Sequence, residues 1–376
     1  MDRARRVEFG WGIIGTGTIA GTFASALGSL REARGVAVCS RDEQRAREFA
    51  ARHGLSTGYG AIGSLLADPG IDVVYIATPH TEHARLAIQC LEAGKSVLCE
   101  KPLATSSDAV RQIAAAARSA GRFCMEGMWM RFQPILGILQ EQLAKQAIGE
   151  LRRFRAELGF PHQPSVRSRL FDPARGGGAL LDLGVYPLAL AHLVLDKPTV
   201  VAAQAITGET GVDEQVSCLL RDRKGCEGLI TASLRSRSSN EAMIEGTTGY
   251  LHLHAPLYRP TQLTLHRSAP SVRDDDSSGR RGRAAQWKQQ LTRLPAVQAA
   301  LQRLGQGRVK PSRSWFLPSH GTGYEYEILE THRSIQAGLI ESKSWSLSDS
   351  EAVLELVESI QSSWVSSRRL DASNAI

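Results

Sequence analysis

The strongest constraint on this chain is a glycine-rich turn set between a strand and a helix near its N-terminal end. Residues 7–14 are apolar and run into Gly15-Thr16-Gly17-Thr18-Ile19-Ala20, a G-x-G-x-x-A sequence, after which residues 18–30 can continue as a helix. Gly15 permits a tight turn, Gly17 lets backbone approach a pyrophosphate, and Ala20 is small enough for close helix–strand packing. The helix N-terminus then offers free N–H groups and the positive end of a dipole to an anion. An isolated glycine pattern also fits an ordinary turn. The strand before it and the helix after it point to a dinucleotide.

The pattern then repeats. Residues 36–40 form a short apolar run before a charged helical stretch at 42–53, and residues 71–78 are almost continuously apolar and β-branched, the mark of a strand covered on both faces. Residues 81–93 read as a helix with Thr81 as N-cap and Gly94 just past its end. Residues 96–100 read as a strand, Thr105 to Asp108 as a capping box ahead of an alanine-rich helix stopping at Gly121, and 123–129 as a last strand. Strands and helices alternating at this size predict an α/β unit, a doubly wound parallel Rossmann sheet over residues 1–128.

Beyond Trp129 the rhythm changes. A helix at 134–147 leads into strand-like runs at 150–158, 200–206, 215–221, 227–234 and 250–254, separated by turns such as Gly246 to Gly249 rather than by helices. Residues 129–376 are therefore expected to form an α+β domain on a large open, mainly antiparallel sheet, ending in helices near 324–337 and 348–364.

The net charge of +7 hints at a polyanionic partner until it is located: residues 259–315 hold twelve Lys and Arg against three Asp, which leaves the rest of the chain at −2. This segment reads as a basic insertion. Trp287, Leu291, Leu294, Val297, Leu301 and Leu304 recur there at helical spacing, fitting either a solvated insertion with one docked helix or an element that binds a partner or anionic substrate. It lacks aromatic interleaving, so no nucleic acid is expected. The most apolar stretch, 178–195, carries Asp182, Pro187 and His192, which argues against a membrane span. The N-terminus shows no secretion signal. The six cysteines form no C-x-x-C pair and no metal spacing with histidine, as expected of reduced thiols in the cytoplasm and of a chain with no metal.

Cofactor choice is read at the end of the second strand. An acidic residue there would bond the ribose hydroxyls of NAD; this chain has Ser40-Arg41, with Arg45 one turn on, a set suited to the 2′-phosphate of NADP. Asp42, adjacent, weakens the case. Glu100-Lys101-Pro102 closes the fifth strand at the edge where open α/β sheets bind ligands, and Lys101 is either poised over a ligand or reaching for solvent. In the stretch from Gly176 to Tyr186, Asp182 and Tyr186 stand four apart, an acid and a phenol on one helical face, or else a helix cap and a core tyrosine.

Taken in order, the glycine turn, residues 77–83 (ATPHTEH), 99–103 (CEKPL), 125–132 (MEGMWMRF) and 176–186 resemble the glucose–fructose oxidoreductase/inositol dehydrogenase (Gfo/Idh/MocA) family, and within it the branch of dimeric dihydrodiol dehydrogenase and NADP-dependent sugar dehydrogenases. The likeness covers residues 8–258 and resumes from 321 to 364. It implies that Lys101 sits beside the substrate with Asp182 and Tyr186 as acid and proton-transfer group. It also implies that Gly15, Thr16, Gly17, Thr18, Ile19, Ser40, Arg41, Arg45, Thr78, Pro79, His80, His83, Glu100 and Lys101 line the cofactor. A cis Lys101–Pro102 bond and a homo-oligomer are further implications.

The expected activity is NADP(H)-dependent hydride transfer to or from a hydroxyl/carbonyl carbon of a sugar, cyclic polyol or diol, with NAD as the lesser cofactor. The same fold leaves open a non-catalytic nucleotide-sensing regulator, which would have no use for a proton-transfer set. A phenol titrates near pH 10, so Tyr186 as a base needs neighbouring positive charge, which Lys101 would provide.

Overall fold

The computed structural model describes residues 8–165, 168–267 and 311–373. Its first sheet has six parallel strands: β1 (Phe9–Ile14), β2 (Ala33–Cys39), β3 (Thr57–Tyr59), β4 (Val73–Ile76), β5 (Ser96–Glu100) and β6 (Cys124–Gly127), in the order β3-β2-β1-β4-β5-β6. The strand order reverses between β1 and β4, and the crevice for a ligand opens there, at the carboxyl edge. β1 and β4 are buried along their whole length, as strands covered by helices on both faces must be. Those helices are α1 (Thr18–Ser29), α2 (Glu43–His53), α3 (Ile62–Ala67), α4 (His80–Glu92) and α5 (Ser107–Ala120). α5 follows its local signals: Ser106 caps it by accepting from the Ala109 N–H, and Gly121 closes it in the left-handed conformation. α4 starts one residue earlier than its sequence suggests. Pro79 occupies the cap, and the Thr81 hydroxyl instead donates to the Ala174 carbonyl at 3.2 Å.

After α6 (Pro134–Ala144) the chain builds an eight-stranded sheet from β7 (Leu151–Gly159), β8 (Thr199–Thr207), β9 (Asp213–Arg221), β10 (Glu227–Ser233), β11 (Ala242–Gly246), β12 (Gly249–Leu253), β13 (Gln262–Arg267) and β14 (Pro311–Phe316). Its order is β14-β13-β12-β11-β7-β10-β9-β8, and only the β7–β10 pair is parallel. Phe154, Ala156 and Leu158 of β7 are buried toward the helices, while Arg153 and Arg155 are exposed on the outer face. α7 (Val185–Val194) lies on the inner face; the helical stretch Pro173–Val194 is long and apolar enough to cross a membrane, yet 78% of its most apolar window is buried inside the protein.

Two features depart from expectation. Residues 262–267 and 311–316 are sheet strands paired antiparallel, so the ends of the basic segment belong to the second sheet. Its middle, with the helical pattern from Trp287 to Leu304, lies outside the described residues. The C-terminal helices also do not stay with the second sheet alone. α8 (Glu325–Gln336) packs on the first: Ile328 and Tyr324 join the cluster of Trp11, Phe23 and Tyr75, and the Trp11 indole N–H donates to His332 Nε2 at 3.0 Å. α9 (Leu347–Ser373) runs against α5, α7 and β8, and Glu358 accepts from the Ser107 N–H and hydroxyl at the start of α5.

Candidate active site

The carboxyl edge of the first sheet and the inner face of the second enclose a cleft of about 1470 Å³. That exceeds the roughly 300–1,000 Å³ of a site for one drug-sized ligand, and suits a dinucleotide with a second molecule beside it. One end is the glycine turn. Gly15 has φ +115°, and a Cβ there would meet the Ala77 carbonyl at 2.3 Å, so the position demands glycine. A Cβ on Gly17 would meet nothing within 4 Å, because Gly17 faces the open cleft, and the first turn of α1 has no side-chain cap on its N–H groups. Thr16, Thr18 and the half-exposed Ile19 line the same end. At the edge of β4 the Thr78 hydroxyl is buried with no partner, an open valence beside Pro79 on the cleft wall. A pyrophosphate and nicotinamide fit these groups.

Beyond β2, Ser40, Arg41 and Arg45 line the cleft together. Asp42 is engaged locally. Its carboxylate caps α2, accepting from the Arg45 N–H at 3.1 Å, and its own N–H donates to the Ser40 hydroxyl at 3.3 Å. The guanidinium groups of Arg41 and Arg45 have no protein partner among the described residues.

Lys101, Asp182 and Tyr186 converge at the cleft floor. The Lys101–Pro102 bond is cis. Residues 180–184 form a wide π-type turn leading into α7. In such a turn the donor to the Asp182 carbonyl would be residue 187, and Pro187 has no N–H. Lys101 Nζ takes that carbonyl instead, at 2.6 Å, and lies 3.6 Å from the Asp182 carboxylate. Arg169, a residue with no local sequence signal, donates to the same carboxylate at 2.9 Å. Burial alone would raise the Asp182 pKa, but Lys101 and Arg169 hold it well below the usual carboxylate range. His80 is 3.9 Å from that carboxylate but forms no ion pair with it: burial, His83 and Lys101 push its pKa down to about 3. As a neutral ring it donates from Nδ1 to the Gly176 carbonyl at 2.9 Å and accepts at Nε2 from Arg169 at 3.3 Å.

Tyr186 sits in surroundings that its sequence neighbours do not reveal. Burial, Glu100 and Asp182 push its phenol upward, and Lys101 lies 4.8 Å over the ring face. The Trp129 indole N–H donates to the phenol oxygen at 3.0 Å, and the phenol's own hydrogen remains available to a further acceptor. Trp129 also stacks on Tyr324 at 4.7 Å and Tyr258 at 5.8 Å, so the substrate end is walled by aromatic rings. Trp129, Tyr258, Tyr324 and Arg169 were not identified as site residues from the sequence, because tertiary packing alone gathers them.

Two further residues expected at the cofactor, His83 and Glu100, line the same cleft while also bracing its wall. His83 is fully buried, its ring nitrogens at 2.8 Å from the Pro102 carbonyl and 3.0 Å from that of Thr78, tying the β4 edge to the Lys101–Pro102 turn. Glu100 accepts from the Tyr75 hydroxyl, from the Tyr324 hydroxyl at 3.2 Å and from the Lys101 N–H at 3.1 Å, supporting the floor from below.

Behind it, Glu327 of α8 is 0% exposed with both carboxylate oxygens unpartnered, and burial with Glu100 and Glu126 raises its pKa far above normal. The folded state therefore binds a proton that the unfolded chain releases above about pH 4.3, so this group costs stability increasingly as pH rises. Glu327→Gln, which keeps the shape and removes the acid, should match the wild type near pH 4 and exceed it by a growing margin toward pH 8 in thermal unfolding. A variant that loses stability at pH 8 would mean that Glu327 is ionised and paired.

Residues 9–128 match the oxidoreductase family with an NAD-binding Rossmann fold, and residues 138–252 match the Gfo/Idh/MocA C-terminal domain. The chain is 34% identical over 358 residues to trans-1,2-dihydrobenzene-1,2-diol dehydrogenase of Sus scrofa, an alignment covering 93% of this chain and 95% of that protein. The human enzyme of the same name is 34% identical over 360 residues, with the same coverage. Among solved structures, a 3-ketoreductase from Actinomadura kijaniata in complex with NADP and TDP-benzene is similar with a TM-score of 0.77 and 25% identity, over 95% of this chain and 98% of that one. An NAD binding oxidoreductase from Klebsiella pneumoniae is similar with a TM-score of 0.74 and 26% identity, over 96% and 98%.

Proposed function

The chain belongs to the Gfo/Idh/MocA oxidoreductase family, and from that premise we propose that it is an NADP(H)-dependent enzyme interconverting a hydroxyl and a carbonyl on a cyclic diol or sugar ring. The observation that carries this reading is the meeting of Lys101, Asp182 and Tyr186 on the floor of the cleft that the glycine turn opens. When bound, the dinucleotide supplies or receives the hydride. Gly15–Thr18 would hold its pyrophosphate and Thr78 its nicotinamide end. Ser40, Arg41 and Arg45 would hold a 2′-phosphate, and the engagement of Asp42 as a helix cap supports NADP over NAD.

Tyr186 acts as a proton donor. Its raised pKa keeps the phenol protonated at neutral pH, Trp129 orients it, and its hydrogen reaches the substrate oxygen as that oxygen gains negative charge. The Lys101 ammonium stabilises the same charge, and Asp182 holds the ammonium in place. This division of labour favours carbonyl reduction. The aromatic wall of Trp129, Tyr258 and Tyr324 suits a flat or weakly polar ring, in line with the dihydrodiol and TDP-sugar chemistry of the named relatives. On the outer face of the second sheet, exposed Ile206, Leu229 and Phe316 support a homo-oligomer.

An activity screen with NADPH and NADP⁺ across cyclic diols, inosose-like ketones and sugars tests the reading, and absence of turnover on every class alongside tight nucleotide binding would sink it. Arg41→Ala should weaken NADPH by about 1.5–3 kcal/mol, roughly ten- to 150-fold, the scale of hydrogen bonds to a charged group, and leave NADH nearly unchanged in a fluorescence titration. Equal loss for both nucleotides would remove Arg41 from the 2′-phosphate.

A further inference from the structure

We propose a second site, for a divalent late transition metal of the zinc class, on the outer face of the eight-stranded sheet, formed by Glu241, His252 and His254. One ligand atom from each residue lies within 4.8 Å of the other two. His252 and His254 are two apart along the β12 edge, so both imidazoles rise from one face of the strand. Ala242 pairs with Leu253 in antiparallel register, which puts Glu241, one residue earlier, opposite His254. The carboxylate already reaches His252 Nε2 at 2.7 Å, and the two rings lie 3.8 Å apart between centroids. The sequence reading expected no metal because the glutamate is eleven residues from the nearer histidine in a strand pair that was not anticipated.

The surroundings have the form of an outer shell. His254 Nε2 meets the Thr264 hydroxyl at 2.8 Å, and that hydroxyl meets Ser314 Oγ at 3.2 Å, which fixes the ring and leaves Nδ1 for a metal. The Glu241 carbonyl is pinned by the Glu157 N–H at 3.1 Å. His266, diagonal to His252 across the β12–β13 ladder, carries a buried Nδ1 with no partner. Two imidazoles and a carboxylate select zinc, nickel or cobalt over magnesium and calcium. Tetrahedral ligands about 2.1 Å from zinc stand roughly 3.4 Å apart, so the three atoms need to close by about 1.5 Å at most.

The site is separate from the cleft. Tyr258, which walls the substrate end, comes four residues after His254, while the imidazoles belong to the opposite face of the sheet. A bound ion would clip the start of β11 to the end of β12 and brace the segment carrying Tyr258, leaving hydride transfer to the cleft.

Full-length protein dialysed against zinc chloride, then passed through a desalting column, is assayed for zinc by mass spectrometry beside a His252→Ala/His254→Ala double variant and Glu241→Gln. Wild type should retain one equivalent more than the double variant, and its thermal midpoint should rise with zinc and return with EDTA. Glu241→Gln, which preserves the local shape, should bind at least tenfold more weakly with NADPH affinity unchanged. Equal zinc in wild type and double variant would overturn the site. Half an equivalent per chain would overturn it as a single-chain site, since the ion would then be shared between two copies.

Discussion

Tyr186→Phe should cut carbonyl reduction by roughly 10²–10⁴-fold while nucleotide affinity stays within about twofold. The ring remains, so packing against Tyr258 survives, and only the hydrogen directed at the substrate oxygen is lost. Lys101→Met, which removes the charge and keeps most of the stem, should bring a loss of the same order. The double variant should be little worse than either single one, because a proton donor and the cation beside it act as one unit. Steady-state turnover with saturating NADPH, paired with a binding titration, separates the steps. Near-normal turnover in Tyr186→Phe would move the proton to Lys101, and near-normal turnover in both would remove this floor from the chemistry.

Asp182→Asn should produce the largest loss of stability in the cleft. The Asp182 carboxylate faces Lys101, whose side chain is only 11% exposed, and Arg169, which is 40% exposed. Arg169 can turn to water when the charge goes, whereas Lys101 is left as a buried ammonium without its anion, at a cost of about 3 kcal/mol. The sign follows from the lowered pKa: the folded state keeps the proton off Asp182, so its contribution is complete above the unfolded value near 3.9 and fades as pH falls below it. Urea unfolding should therefore separate wild type from variant widely at pH 7 and less at pH 3. An equal gap at both pH values would show that the carboxylate charge is not what matters. Turnover should fall as well, because Lys101 loses its anchor.

The part of this molecule legible in its residues was the part specified locally. The Gly15–Ala20 turn, the Ser106 cap and Gly121 stop of α5, and the apolar run of β4 each declare their conformation within a few positions. β11, β13 and β14 do not: Ala242–Gly246 is short, and β13 and β14 are flanked by basic residues whose charge overshadowed a two-residue alternation. The same division runs through the site. Lys101, Asp182 and Tyr186 occupy motif positions, whereas Arg169, Tyr258 and Tyr324 act only because distant segments fold together, and Trp129, though inside the 125–132 motif, meets Tyr186 only through that packing. What the residues around Tyr186 could not show is tertiary too: its hydroxyl is buried beside Glu100 and accepts from the indole of Trp129.

The docking of α8 on the first sheet has a consequence for recombining this protein with its relatives. Tyr324 and Ile328 fill the apolar surface around Trp11, Phe23 and Tyr75, and the Tyr324 hydroxyl reaches Glu100. A crossover placed at the apparent domain boundary near residue 128 would hand the nucleotide-binding half a foreign helix where it expects its own. Swaps intended to exchange cofactor preference should therefore carry two pieces, the N-terminal half and residues 324–336, and a library that treats the chain as two consecutive modules will be dominated by misfolded clones.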